Sequence, residues 1–169
     1  MTTLQVLFIL FSLITLAGGL YTVIARNLFH AALGLIVALA GVAALYALLE
    51  APFLAAAQVA IYIGAIAILI IFAVMLTRGV IGQFPRANDQ WGLAIPVVLF
   101  LLVILFLTLF RFDWPQTAQA GVPADNIAQL GKALVEPDLY VLPFEVASVL
   151  LVAALIGSVY IARDRKVDK

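Results

Sequence analysis

The chain has 169 residues, of which 66% are hydrophobic and 11% charged, and its formal net charge is zero. Soluble domains carry about 25% charged residues, so this balance excludes an ordinary soluble fold and predicts an integral membrane protein forming one bundle over residues 1–169. Neutrality offers nothing to nucleic acid or a highly charged substrate. With no cysteine and one histidine, His30, thiolate-held iron–sulfur clusters and disulfides are excluded, and a haem has at most one histidine ligand.

The pattern predicts an all-α, polytopic fold with five spanning helices, at about 4–24, 31–49, 53–76, 93–110 and 142–162. Each run has roughly the ~17–25 residues that a spanning helix needs. The first run begins within the N-terminal MTTLQVLF, which lacks a basic n-region, and is read as a retained helix rather than a signal peptide. Its Gly18-Gly19 pair permits a kink or a close contact. His30 stands in a short loop before the second run, as a solvated or capping residue. Gly34, Ala38 and Gly41 recur at i, i+4 and i+7 and give the second helix a tight-packing face.

The third run, PFLAAAQVAIYIGAIAILIIFAVML from Pro52 to Leu76, is uncharged. At ~1.5 Å per residue it spans on the order of 36 Å, against a hydrocarbon core of about 30 Å, so it must tilt or absorb length locally. Ala56, Ala60 and Gly64 recur every four residues and form a stripe on which another helix can lie close. Gln58 and Tyr62, also four apart, are expected to share another face. Tyr62 falls roughly 15 Å into the helix, near mid-membrane, where a phenol needs a hydrogen-bond partner because lipid offers none.

The stretch from Thr77 to Trp91, with Gly79, Gly82 and Pro85, reads as an irregular loop, and Trp91 as an interface marker. The fourth run carries large side chains on all faces and is expected to meet lipid, with Pro96 tolerated in its first turns. Between 111 and 140 lies the one sizeable hydrophilic piece. There Asp125 can cap a short helix whose Ile127, Leu130 and Leu134 share one face, an amphipathic helix at the membrane surface.

Seven of the nine basic residues (Arg26, Arg78, Arg86, Arg163, Arg165, Lys166 and Lys169) collect on one side, leaving Arg111 and Lys132 on the other. By the positive-inside rule the N-terminus faces outward and the C-terminus the cytoplasm. The predicted spans contain no Asp, Glu, Lys, Arg or His except Glu145. A stand-alone ion-coupled transporter normally places an ionisable group near the midplane, so a proton crossing here must be passed to carboxylates on other chains. Two acids stand at the outer rim. Glu50 reads either as a solvated loop charge or as a proton-path acid. Glu145, placed in the first turn of the last helix, reads either as a dipole-favoured N-terminal acid or as a second such group.

The stretch AQVAIYIGAIAILIIFAVML (Ala57–Leu76) resembles the third helix of the subunit J family of respiratory complex I, the proton-pumping NADH–quinone oxidoreductase. ARNLFHAALGL (Ala25–Leu35), LLEAPFLAAAQ (Leu48–Gln58) and YVLPFEVASVLLVAALIG (Tyr140–Gly157) are similar to its flanking stretches. The resemblance implies a membrane-arm subunit without a redox centre, with flavin, iron–sulfur clusters and quinone on partner subunits. The implied partners are the quinone-site subunit, subunits A and K, the antiporter-like subunits and lipid. The implied location is a bacterial inner membrane or an equivalent energy-transducing membrane. In the family the third helix can carry a π-bulge near its tyrosine and convert to a regular α-helix, which breaks or completes a water wire. The matching positions are Tyr62 and Gly64, with Gln58 one turn earlier. Many members carry an acid directly before the phenylalanine matching Phe53, where this chain has Pro52. Two readings follow: a gating subunit, or a structural spacer whose small-residue faces serve packing only.

Overall fold

In a computed structural model the described residues are 2–77, 91–112, 123 and 125–163. Along them run α1 (Thr3–Ile24), α2 (Leu28–Leu48), α3 (Pro52–Ala57), a π-helical segment (Gln58–Ala67), α4 (Ile68–Thr77), α5 (Trp91–Arg111), α6 (Asn126–Val135) and α7 (Val141–Ala162). The π segment follows α3 and leads into α4 without a break, so Pro52–Thr77 is one rod. It is one of five helices long and apolar enough to cross a membrane. All of the predicted 77–91 loop but its two ends, the C-terminal tail after 163 and most of the basic residues that set the predicted orientation lie outside the described residues. The chain divides into two compact units, residues 1–119 and 120–169.

In the first unit α1 and α2 form a close-packed pair, because the residues between them are small. A methyl added at Gly18 would lie 2.7 Å from the Ala38 backbone nitrogen and 3.0 Å from the Gly34 carbonyl oxygen; one added at Gly41 would lie 3.1 Å from the Thr15 nitrogen and 3.2 Å from its Cα. The two backbones therefore touch along this seam, the usual substitute in lipid for a hydrophobic driving force. Gly18, Gly34, Ala38 and Gly41 are all buried. Gly19, by contrast, faces open space, so only one glycine of the pair makes the close contact. Thr15 and Thr22 return their hydroxyls to the carbonyls of Phe11 and Gly18, each at 2.8 Å, which satisfies them without a partner helix.

The helix ends depart from the sequence expectation for local reasons. α2 begins at Leu28 rather than Ala31, because the Asn27 side chain caps it by accepting from the Phe29 N–H at 3.0 Å. His30 consequently lies within the first turn of α2, not in a loop, with its ring edge-on to Phe29 at 6.1 Å. α5 begins at Trp91 rather than Leu93, which moves Pro96 to the sixth helical position. A proline there removes a bond that the helix would otherwise make, so it is not the costless first-turn residue expected. The described side chains of Gly92–Arg111 are all exposed.

In the second unit α6 is the short amphipathic helix expected, but its cap differs. Asp125 holds the N-cap position without bonding a backbone N–H; its carboxylate instead accepts from the Gln129 side chain at 2.9 Å. A tight turn joins α6 to α7, with the Tyr140 N–H donating to the Ala133 carbonyl at 3.1 Å. That turn starts α7 at Val141, ahead of Pro143.

Candidate functional site

The residues of the rod that turn inward identify the site. After Ala51 at the cap they are Ala55, Ala57 and Gln58, then Ile63 and Ala67, then Ile71 and Val74. Beyond Ala67 the steps are four and three residues, as 3.6 residues per turn demands. Between Gln58 and Ala67 two turns consume nine residues, the wider winding of a π-helix. Extra length in the third span, expected from its residue count, is thus taken up locally.

Gln58, the first residue of the π segment, is 6% exposed and is the buried polar side chain among the described residues. Its Nε2 faces the Leu39 carbonyl of α2 at 3.5 Å. Ala67, the last residue of the segment, is 1% exposed. Between them Val59, Ala60, Ile61, Tyr62, Gly64, Ala65 and Ile66 are exposed. Tyr62 is 48% exposed, and its hydroxyl has no hydrogen-bond partner among the described residues. Four residues apart as they are, Gln58 and Tyr62 differ in environment: one is buried against α2, the other exposed.

The small residues divide in the same way. Gly34, Ala38 and Gly41 face α1, whereas Ala56, Ala60 and Gly64 are exposed on the rod. A methyl on Gly64 would meet only the Val59 carbonyl oxygen, at 3.3 Å. The rod therefore presents a phenol on one side and a shallow small-residue strip on another, since residues two apart do not share a helix face, and no described helix of its own unit covers either.

Of the two acids, Glu50 lies at the end of α2 as expected, and Glu145 lies deeper in its helix than expected. Glu50 has φ 56, the left-handed region that favours glycine. It closes α2 in a Schellman arrangement: its own N–H reaches the Ala47 carbonyl at 3.2 Å and the Ala51 N–H reaches the Tyr46 carbonyl at 3.0 Å. Composition carries no signal for a glutamate in that conformation. Glu145 is the fifth residue of α7, beyond the first turn, because the turn at Tyr140 starts the helix earlier than Leu142. The dipole reading made for it does not apply there, since the favourable field is confined to the first turn. Both acids are exposed. Among the described residues no three His, Cys, Asp or Glu side chains come together as metal ligands would.

A chain of this kind, with five helices long and apolar enough to span a membrane among the described residues and a π-wound rod carrying an exposed phenol, is a polytopic membrane protein. Comparison with known proteins identifies its family. Residues 18–161 match the family described as NADH-ubiquinone/plastoquinone oxidoreductase chain 6, and the chain belongs to it. It is 40% identical over 157 residues to F(420)H(2) dehydrogenase subunit J of Methanosarcina mazei, covering 91% of this chain and 88% of that one. It is 36% identical over 172 residues to the NAD(P)H-quinone oxidoreductase subunit 6 of the Paulinella chromatophora chromatophore, covering 98% and 81%. With the chloroplastic subunit 6 of Mesostigma viride it shares 34% over 154 residues, covering 88% and 78%. The chain is thus a multi-pass subunit of the complex I family, and its partners are other subunits of such a complex.

Proposed function

We propose that this subunit couples quinone reduction to proton translocation, with the π-wound middle of the Pro52–Thr77 rod acting as the gate. The observation that carries the reading is Tyr62. It is a phenol inside an acid-free span, half exposed in the π-wound segment found among the described residues. In lipid an unpaired hydroxyl is costly, so the group is suited to a water chain or a polar partner on a neighbouring subunit. Gly64, two residues on, leaves a different side of the rod open to a close-packed neighbour. Relatives of similar identity bear names with different electron donors, F(420)H(2) and NAD(P)H, which supports a role common to all and downstream of the donor.

In this reading the proton is carried by carboxylates of adjoining subunits: the quinone-site subunit, subunits A and K, and the antiporter-like subunits. Flavin, iron–sulfur clusters and quinone reside on other chains, in a bacterial inner membrane or its equivalent, with the N-terminus outside and the C-terminus in the cytoplasm. Glu50 in the first unit and Glu145 in the second are the chain's own candidate acids for the proton path. The test is proton pumping per electron in sealed vesicles containing the intact complex with Tyr62→Phe or Gly64→Val. Pumping is expected to fall while electron transfer and assembly persist; normal pumping by both variants refutes the gate.

The exposed strip of Ala56, Ala60 and Gly64 favours a second reading, a spacer that holds neighbouring subunits together. Ala60→Leu would then abolish assembly, and Tyr62→Phe would leave pumping unchanged.

A further inference from the structure

A ten-residue π-helical stretch needs a cause. π winding is rare and occurs mostly as single turns, and nothing in the local sequence demands it. Gln58–Ala67 contains no proline, and a methyl on its one glycine, Gly64, would have a single neighbour. The cause lies in what the two ends touch. Gln58 and Ala67 are the two buried residues of the segment, and the segment packs on α2.

Their separation is nine residues. At about 4.4 residues per turn, nine steps make about two full turns, so both ends fall on one face. At 3.6 per turn the same nine steps make two and a half turns, and the ends fall on opposite faces. Both can be buried on α2 only if the segment between them is under-wound. The lower end needs no polar fastening, since Ala67 leads into α4, whose Ile71 and Val74 continue the inward line. The upper end is different: a carboxamide is buried there, facing the Leu39 carbonyl, and burial of such a group is favourable only when it is paired.

We infer that the π winding is imposed by these two anchors on α2, and that Gln58 is the positioning residue that holds its upper end. The exposed residues between the anchors, Tyr62 among them, take their direction from that constraint. With Gln58 held and the segment α-wound, Ala67 would turn away from α2 by nearly half a revolution, and Tyr62 by about 70°.

The inference bears on why the rod has its shape and does not require the coupling reading. Its test is the winding itself, seen by electron cryomicroscopy of the intact complex carrying Gln58→Leu and, separately, Gln58→Met, whose flexible side chain fills the same space without the amide. The share of particles with an α-wound segment, or with Ala67 turned off α2, is expected to rise by about threefold or more, the worth of one interhelical hydrogen bond in a membrane. Retention of π winding in both variants, with Ala67 still against α2, would overturn the inference. Loss of the assembled complex in both would also count against it, because a residue that sets only the winding leaves assembly intact. Altered winding with full pumping would refute the coupling reading and leave this one standing.

Discussion

Substituting Gly18 by alanine tests the packing of α1 on α2 with a single methyl. That methyl would stand 2.7 Å from the Ala38 nitrogen, 3.0 Å from the Gly34 oxygen and 3.1 Å from the Ala38 Cα. All three are backbone atoms, so no side chain can swing aside. To restore ordinary contact the helices must separate by roughly 1 Å, and overpacking of this kind costs about 1–3 kcal/mol. The adjacent Gly19→Ala is the internal control, since its methyl would meet nothing within 4 Å. That change should stabilise by roughly 0.5–1 kcal/mol through helix propensity. The propensity gain is common to both changes, so two alanines one residue apart should differ by the overpacking cost, about 1–3 kcal/mol, or roughly fivefold and upward in a folding equilibrium. The assay is thermal retention of the subunit in the native complex, compared across wild type and the two variants. Equal retention by Gly18→Ala and Gly19→Ala would refute the reasoning, because it would mean the backbones do not touch where the structure puts them.

Other consequences can be checked individually. Glu50→Gly should stabilise the α2 end by about 1 kcal/mol, since glycine adopts the left-handed conformation freely; a loss of stability on heating would contradict the cap. Gly41→Ala should destabilise by about 1–3 kcal/mol, and adding Thr15→Ala should recover part of it, because the Thr15 hydroxyl is the nearest atom to the new methyl; stability curves of the single and double variants decide it. Pro96→Ala should restore one backbone hydrogen bond in α5 and raise its resistance to unfolding, with slower amide exchange at that turn as the readout. The chain has no cysteine, so single-cysteine spin labels give clean depth readings. Ile127→Cys should be reached by oxygen and Lys132→Cys by a water-soluble relaxant if the apolar face of α6 rests on the bilayer. Equal access at the two positions would exclude that placement.

Much of the fold was legible because lipid makes hydrophobic length decisive. The five apolar runs correspond to five long apolar helices, with ends displaced by at most three residues. The displacements come from short-range chemistry that hydropathy does not weigh: the Asn27 side chain on the Phe29 N–H, and the turn at Tyr140 that starts α7 early. The packing role of Gly34, Ala38 and Gly41 was legible as spacing, whereas only the structure separates Gly18 from Gly19. For the site, Gln58, Tyr62 and Gly64 stand out as polar or small positions in an apolar run. What spacing alone could not reveal is the π winding, since it depends on where Gln58 and Ala67 meet another helix. Residue order near Glu50 is equally silent, because a glutamate in the left-handed region is chosen by the closing hydrogen bonds and not by its own preference.

The meeting of α1 and α2 has one more effect. With Gly18, Gly34 and Gly41 bringing main chain against main chain, the hairpin forms a solid wall whose seam is too narrow for a file of water molecules. Hydration reaching the Pro52–Thr77 rod must then come around that wall, to the exposed Tyr62 phenol on one side of the rod or to the shallow gutter of Ala56, Ala60 and Gly64 on another.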